Sequence, residues 1–205
     1  LASLGKTQGV GLAMNPKTGE ILALVSFPSF DNNNPAKYLM TAGNPLFNRA
    51  VSGVYSPGST IKPLVALAAL HEKLVTPEFT VYSKGYLELP NPYDPEKPSK
   101  FLDWKAQGLV NMYSALARSS NVYFYVVGGG CTASTCNGVG RSKGVGINKL
   151  NEYWKIFGLD KKTGVDMPAE AIGFLPNPVE KERRTGQPWR IGDTYHTAIG
   201  QGGIK

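Results

Sequence analysis

The segment from Ser59 to Leu74, STIKPLVALAALHEKL, constrains the fold more than any other part of the sequence. It favours a helix, and it is apolar on nearly all sides through Ala69, which is typical of a helix buried in the middle of a domain. Its prolines locate the start, because a proline inside a helix costs about 3 kcal/mol through a lost backbone hydrogen bond and a ring clash. A start at Gly58-Ser59 leaves Pro63 in or beside the first turn, where proline is tolerated.

The composition is that of a folded chain able to bury such a helix. The 205 residues are 41% apolar and 18% charged, which excludes disorder and low complexity. Lysines and arginines number 22 against 15 acidic residues, a net charge of +7 that would suit an anionic partner such as nucleic acid or an acidic wall polymer. The basic residues are scattered, with one tight group at 181–184, so a solvated surface is the preferred interpretation and nucleic-acid binding is not expected. The sequence contains no run of about 18 apolar residues, so no membrane span is predicted.

Short apolar runs predict a mixed α/β (α+β) fold in which helices flank an antiparallel sheet on both faces. The runs 8–14 and 20–27 are separated by NPKTG, whose proline and glycine favour the turn of a β-hairpin. Both alternating sets of the second run are apolar, which favours a strand covered on both faces.

Further elements are predicted along the chain. Short strands are predicted near Val81 and Tyr86, and residues 111–127 predict a helix, a break at 118–121 and an aromatic second helix. Residues 147–157 are amphipathic. The Gly- and Pro-rich segment 158–188 and a final loop into 196–201 are predicted to be irregular.

Ser59 and Lys62 lie three residues apart on the buried helix, so their side chains share one face with Cβ atoms about 5 to 6 Å apart. A serine hydroxyl is a poor nucleophile, and a neighbouring amine takes its proton only if desolvation or nearby cations favour the neutral amine. The apolar neighbours Ile61, Leu64 and Val65 would provide that desolvation. The backbone N–H groups of the helix start would also stabilise an oxyanion on a substrate carbonyl.

A second motif, Ser119-Ser120-Asn121, falls at the predicted helix break and adds a hydroxyl and an amide. Either serine would also fit as the cap of the following helix. S-x-x-K followed by S-x-N about 60 residues later is the order found in penicillin-binding proteins and serine β-lactamases. The two motifs together indicate that chemistry far more strongly than either one does.

Several stretches then resemble the transpeptidase domain of class B penicillin-binding proteins over nearly the whole chain. The matching stretches are NRA at 48–50, YSPGSTIKP at 55–63, RSSN at 118–121, TGVDMP at 163–168 and GQG at 200–202. Three others favour the elongation type, penicillin-binding protein 2, over the cell-division type: residues 85–86, 103–105 and 188–194.

This resemblance implies a role for each site residue. Ser59 would be the acylated nucleophile, Lys62 its general base, Ser119 a proton relay to the leaving amine, and Asn121 a hydrogen-bond partner of the substrate's peptide amide. The reaction would be peptidoglycan D,D-transpeptidation through an acyl-enzyme formed on D-Ala-D-Ala, with a role in cell elongation and shape. β-Lactams would trap Ser59 by imitating the first step.

The resemblance also implies a setting. Residues 1–205 would be part of a transpeptidase domain, held in the inner membrane by a single N-terminal segment outside this chain and working on the periplasmic side. The implied partners are peptidoglycan stem peptides, β-lactam antibiotics, a membrane glycosyltransferase and elongation-complex proteins. No cofactor is expected, and no metal, since His71 and His196 do not lie at ligand spacing from the cysteines.

The family's third motif, K-[ST]-G on a core strand, is not assigned here. The chain contains KTG at 17–19 and again at 162–164, and both are interpreted as turns. By the resemblance the true motif falls beyond Lys205, so this piece is expected to be inactive or feebly active alone.

Several alternatives stay open. Cys131 and Cys136 form either a loop disulfide, which implies an extracytoplasmic compartment, or two free thiols. His196 is interpreted as a surface or loop histidine, and Asp103-Trp104 as a buried tryptophan with a nearby acid, so neither is included in the site. The rival functions are a class D-like serine β-lactamase and a non-catalytic β-lactam sensor domain.

Overall fold

The described chain separates into two units that interleave along the sequence. The structure is a computed structural model that describes residues 3, 5–91, 94, 96–132 and 142–205. The smaller unit comprises Leu1–Tyr55 and Lys162–Ile172, and the larger comprises Ser56–Lys161 and Gly173–Lys205. The larger unit contains both predicted site motifs.

The smaller unit contains the predicted hairpin. Strand β1 (Gly9–Met14) pairs antiparallel with β2 (Ile21–Phe27). The connecting turn closes where the Gly19 N–H donates to the Asn15 carbonyl oxygen at 2.9 Å. Gly19 has a φ of +78°, which glycine adopts without steric cost. The KTG of residues 17–19 is therefore part of a turn, as predicted.

The prediction that the second strand is covered on both faces is wrong for the described chain. Leu22 and Val25 point to opposite faces of β2 and are 68% and 57% exposed. A continuous apolar run identifies a strand, but the elements that cover its faces are set by tertiary packing, which periodicity does not encode.

The larger unit contains two more antiparallel strand pairs. Strand β3 (Val81–Ser83) pairs with β6 (Gly108–Val110), and β4 (Tyr86–Leu89) pairs with β5 (Ser99–Leu102). The strands at Val81 and Tyr86 agree with prediction. The sequence does not predict β5 (SKFL) and β6 (GLV), because two polar residues in one and a glycine in the other weaken the strand signal. The mixed helical and antiparallel class is confirmed.

Six helices complete the described part of the larger unit: α1 (Lys62–His71), α2 (Met112–Ala117), α3 (Asn121–Gly129), α4 (Ile147–Ile156), α5 (Pro178–Thr185) and α6 (Ile191–Ala198). The core of this unit surrounds α3, whose residues from Val122 to Gly128 are all buried. Helices α1, α4 and α6 pack against α3. A Cβ added to Gly128 would overlap the side chain of Ala198, so the glycine allows α3 and α6 to approach closely.

The helix that carries Ser59 begins where the sequence predicts. A 3₁₀ turn over Gly58–Ile61 leads directly into α1, and Pro63 lies in the first turn of α1. The helix ends three residues before the predicted Leu74. The chain reverses at Lys73, which has a φ of +53°, and the Leu74 N–H donates back to the carbonyl oxygen of Ala69 at 3.0 Å. This closure satisfies a carbonyl at the helix end.

The prediction of irregular structure for 158–188 and of a final loop into 196–201 is wrong in part. Asn177 caps α5 by accepting from the Glu180 N–H, with Pro178 at the first helical position. At the start of α6, the Asp193 carboxylate accepts from the Arg190 N–H at 2.7 Å. Both caps are local sequence signals. The abundance of glycine and proline in these segments nevertheless favoured the prediction of irregular structure.

Two other predictions concern the cysteines and membrane-spanning segments. Cys136 lies outside the described residues, and so does the choice between a Cys131–Cys136 disulfide and two free thiols. No helix among the described residues is long and apolar enough to span a membrane.

A close contact between Gly58 and Gly200 holds the start of the helical segment that carries Ser59. The Gly58 N–H donates to the Gly200 carbonyl oxygen at 3.0 Å, and Gly200 has a φ of +77°. A Cβ on Gly200 would overlap the Gly58 carbonyl and lie 2.5 Å from its nitrogen. We expect Gly200→Ala to lower the free energy of unfolding by about 3 kcal/mol, through backbone strain and overpacking together. Urea unfolding measures it.

Gly203→Ala is the matched control, since Gly203 has a φ of +94° with open space around its Cβ position. It should cost about 1 kcal/mol, from backbone conformation alone. Equal losses in the two variants would show that the approach of Gly200 to Gly58 does not matter.

Candidate active site

The first motif places an exposed hydroxyl next to a buried amine. Ser59 is exposed in the 3₁₀ turn, whereas Lys62, the first residue of α1, is 1% exposed. Ser59 therefore lies directly before α1, as predicted, but the helix is buried on one side only, since Leu67 is 45% exposed.

The Lys62 ammonium has a full set of hydrogen-bond acceptors. Its Nζ donates to the Ser119 carbonyl oxygen at 2.8 Å, to Ser119 Oγ at 3.0 Å and to Asn121 Oδ1 at 2.8 Å. An ammonium has three donors and no acceptor, so these contacts satisfy the charged form completely. All three acceptors belong to the second predicted motif.

The Ser119 hydroxyl connects Lys62 to Ser59. Ser119 Oγ donates to Ser59 Oγ at 2.8 Å, and the hydrogen bonds of the described residues include none directly between Lys62 Nζ and Ser59 Oγ. When Lys62 loses a proton, its lone pair can accept from Ser119, which can then accept from Ser59. The geometry thus allows Ser59 to lose its proton to Lys62 through Ser119.

The backbone between α2 and α3 sets the directions in which the side chains of Ser119 and Ser120 point. Ser119 has a φ of +53°, an uncommon conformation for a residue other than glycine. Ser120 is the cap of α3, because its side chain accepts from the Tyr123 N–H. The open choice between the two serines is therefore settled: Ser120 caps the helix, and Ser119 faces Ser59.

Burial controls the charge of Lys62. Desolvation lowers the pKa of Lys62 to about 8, and the carboxylate of Asp103 opposes this by favouring the charged form. The ring of Phe124 lies 5.7 Å from Nζ, a contact that also favours the cation. A pKa of about 8 leaves about one lysine in ten neutral at pH 7.

Asn121 has contacts at both ends of its amide. Its Oδ1 accepts from Lys62, and its Nδ2 donates to the Leu102 carbonyl oxygen at 3.2 Å. The role in substrate binding that the resemblance implies for Asn121 stays a prediction.

Asp103, which the sequence alone leaves out of the site, lies next to it in the structure. Its carboxylate accepts from Ser120 Oγ at 2.8 Å and from the Asn121 N–H at 3.0 Å. No spacing in the sequence links residue 103 to residues 120 and 121, because the contact depends on how β5 packs against α3. The expectation that Trp104 is buried is wrong, since it is 60% exposed.

The remaining residues singled out from the sequence take no part in these contacts. His196 lies exposed on α6, so it is a surface histidine on a helix. In the second KTG, the Thr163 and Gly164 N–H groups donate to the Glu170 carboxylate; residues 162–164 are irregular and not the predicted turn, which lies at 168–169. Among the residues that the structure describes, no group of three or more His, Cys, Asp and Glu side chains could hold a metal.

The Lys62 environment can be tested by titration. We expect ¹³C NMR of lysine-labelled protein to give a midpoint for Lys62 near pH 8, against an ordinary lysine value of about 10.4, because burial penalises the charged form. The signal is assigned by its loss in Lys62→Met. A midpoint at or above pH 10 would contradict the desolvated site.

Comparison with known proteins agrees with this geometry. The family model of the penicillin binding protein transpeptidase domain matches residues 9–204. The peptidoglycan D,D-transpeptidase MrdA of Acinetobacter baumannii is 40% identical over 97% of this chain and 28% of its own length, and that of Haemophilus influenzae is 33% identical over 97% and 29%. The chain therefore spans less than a third of these relatives.

Solved structures give the same result. Penicillin-binding protein 2 of Helicobacter pylori matches 99% of this chain and 37% of its own, with a TM-score of 0.81 and 32% identity. That of Pseudomonas aeruginosa, in complex with WCK 5153, matches 99% and 44%, with a TM-score of 0.79 and 34% identity. The predicted fold and the resemblance to penicillin-binding protein 2 are confirmed, and the chain belongs to the penicillin-binding protein transpeptidase domain family.

Proposed function

We propose that this chain supplies the acylating residues of a peptidoglycan D,D-transpeptidase that acts in cell elongation. The observation that carries the proposal is the chain of hydrogen bonds from Lys62 Nζ through Ser119 Oγ to Ser59 Oγ, at 3.0 and 2.8 Å. It joins an exposed hydroxyl to an amine with a lowered pKa, as nucleophilic catalysis requires.

In the first half of the reaction, neutral Lys62 takes the proton of Ser59 through the hydroxyl of Ser119. Ser59 Oγ attacks the carbonyl carbon between the two D-alanines, and N–H groups at the helix start stabilise the oxyanion. The C–N bond then breaks. The leaving D-alanine amine receives a proton from Lys62 through Ser119, which leaves an ester on Ser59.

The second half uses the same groups in reverse. The amine of a neighbouring stem peptide attacks the ester carbonyl and loses a proton to Lys62 through Ser119. The C–O bond to Ser59 breaks, and Ser59 regains its proton along the same path. One relay thus serves both acid and base steps, as microscopic reversibility requires.

Asn121 is proposed to bind the peptide amide of the substrate. Its amide already accepts from Lys62 and donates to Leu102, and an Asn side chain carries a second N–H and a second acceptor site. The same side chain would then link the position of the substrate to the position of the base.

The proposed setting is drawn from the relatives. The Helicobacter pylori protein is known in complex with MreC, and a further neighbour, 31% identical, belongs to a peptidoglycan synthase complex. For this chain we propose elongation-complex partners that include a membrane glycosyltransferase, and an inner-membrane location with the site on the periplasmic side. The proposed ligands are stem peptides and β-lactam antibiotics. The third motif is proposed to lie beyond Lys205, with this piece inactive or feebly active alone.

The two rival functions, a class D-like β-lactamase and a β-lactam sensor, are not favoured, because the matching relatives are named transpeptidases. They differ from the proposal in the fate of the acyl-enzyme. A β-lactamase hydrolyses its acyl-enzyme quickly, whereas a sensor is acylated without transferring the acyl group.

Covalent labelling of the complete protein by a fluorescent penicillin tests the proposal. We expect one label per chain on Ser59, stable over many minutes, and a loss of at least about a thousandfold in labelling rate for Ser59→Ala, since the nucleophile is removed. Label is located by mass spectrometry of peptides.

Ser56→Ala is the control, because it removes another exposed hydroxyl three residues away and should label normally. Label kept by the Ser59 variant would overturn the assignment of the nucleophile. Continuous turnover of nitrocefin would favour the β-lactamase, and acylation without cross-linking of stem peptides by the complete protein would favour the sensor.

A further inference from the structure

The residues from Leu102 to Trp104 hold the break between α2 and α3 from outside the two motifs. The Leu102 carbonyl oxygen accepts from Asn121 Nδ2 at 3.2 Å. Trp104 Nε1 donates to the Arg118 carbonyl oxygen at 3.0 Å. Between them, Asp103 accepts from the first residues of α3. The break is therefore held on both sides of Ser119.

The Asp103 carboxylate is the centre of this contact. It accepts from six donors: the N–H groups of Trp104 at 2.9 Å, Asn121 at 3.0 Å and Val122 at 3.3 Å, and the side chains of Ser120 at 2.8 Å, Ser83 at 3.2 Å and Gln107 at 3.2 Å. Ser83 and Gln107 fix the carboxylate itself. The remaining contacts place a negative charge at the N-terminus of α3, where the helix dipole favours it.

The break needs such support because Ser119 is strained. A left-handed conformation costs a residue other than glycine about 1 to 3 kcal/mol and persists only where the surroundings enforce it. Ser119 has a φ of +53°, and that conformation directs its carbonyl oxygen and its hydroxyl toward Lys62. A relaxed Ser119 would lose one or both contacts.

Asp103 also acts on Lys62 through its charge. It favours the ammonium, against the larger effect of burial. The groups of α3 that face this region are neutral: the Asn121 amide, the Phe124 ring and Tyr125, whose pKa is raised to about 12 by burial and by Asp103. Among the described residues, Asp103 is the charged group that shifts the pKa of Lys62.

We propose that Asp103 is a positioning residue for acylation: its carboxylate holds Ser119 and Asn121 against Lys62 and acts on Ser59 through them, without touching the substrate. The inference rests on the proposed function. It extends the site beyond S-x-x-K and S-x-N to an acid from a different part of the chain, the residue directly after β5.

The test is the pH profile of acylation in the complete protein, with fluorescent penicillin as the probe. Asp103→Asn keeps the size of the side chain but removes its charge and one of its two acceptor oxygens. We expect the second-order rate constant at the high-pH plateau to fall at least about tenfold, because Ser119 is less well held. The midpoint of the profile should also move to lower pH by at least about half a unit, because the charge that favours the ammonium is gone.

Two further variants separate positioning from general effects. Glu88→Gln removes the same charge from strand β4, where Glu88 contacts Lys84 and Lys100, and should leave both quantities unchanged. Asp103→Glu keeps the charge but moves the carboxylate, so its plateau should fall while its midpoint stays. If Asp103→Asn does not fold, Asp103→Glu against Glu88→Gln decides.

The plateau and the midpoint of the acylation profile together decide the role of Asp103. A plateau within twofold of wild type in the Asp103 variants would overturn the positioning role, and a fall in the plateau of Asp103→Asn with an unmoved midpoint would reduce Asp103 to a structural residue. A shifted midpoint in Asp103→Glu would also contradict the inference. If wild-type protein takes no label on Ser59, the proposed function fails; if wild type labels and the Asp103 variants behave as it does, the inference alone fails.

Discussion

The burial of one ammonium among neutral acceptors is the interaction on which the site depends. Lys62 is 1% exposed, and its three hydrogen bonds go to two oxygens of Ser119 and one of Asn121. Removing an ion from water costs several kcal/mol, and hydrogen bonds to a charged group return about 1.5 to 3 kcal/mol each. The cost of desolvation is the larger of the two, so the pKa of Lys62 falls to about 8, and near neutral pH Lys62 can act as both base and acid.

The rest of the larger unit holds that amine and its acceptors in place. Helix α1 carries Lys62, with the 3₁₀ turn of Ser59 directly before it. The approach of Gly200 to Gly58 secures the start of that turn, and the contacts of Asp103 secure the strained break before α3. Four distant segments of sequence, around residues 58–62, 103, 118–121 and 200, thus fix one chain of hydrogen bonds.

The sequence predicts the parts of this site that depend on local patterns. The place of Pro63 and the spacing of Ser59 and Lys62 are local, and the structure places both as expected. The apolar sequence of α1 predicts a helix buried on nearly all sides, whereas the side that carries Leu67 is exposed. The caps of α5 and α6 are local too, but glycine and proline near them obscure the signal. Asp103 could not be predicted, because its role arises only when β5 packs beside α3. Likewise, the apolar sequence of β2 does not reveal that Leu22 and Val25 are exposed.

A double-mutant cycle on acylation tests most directly whether Lys62 acts through Ser119. The rate constants of labelling by fluorescent penicillin are measured for wild type, Lys62→Met, Ser119→Ala and the double variant of the complete protein. If the two side chains form one relay, the double variant loses about as much rate as the Lys62 variant alone, since either change breaks the same path. Losses that multiply in the double variant would show that the two groups act independently, and would contradict the account.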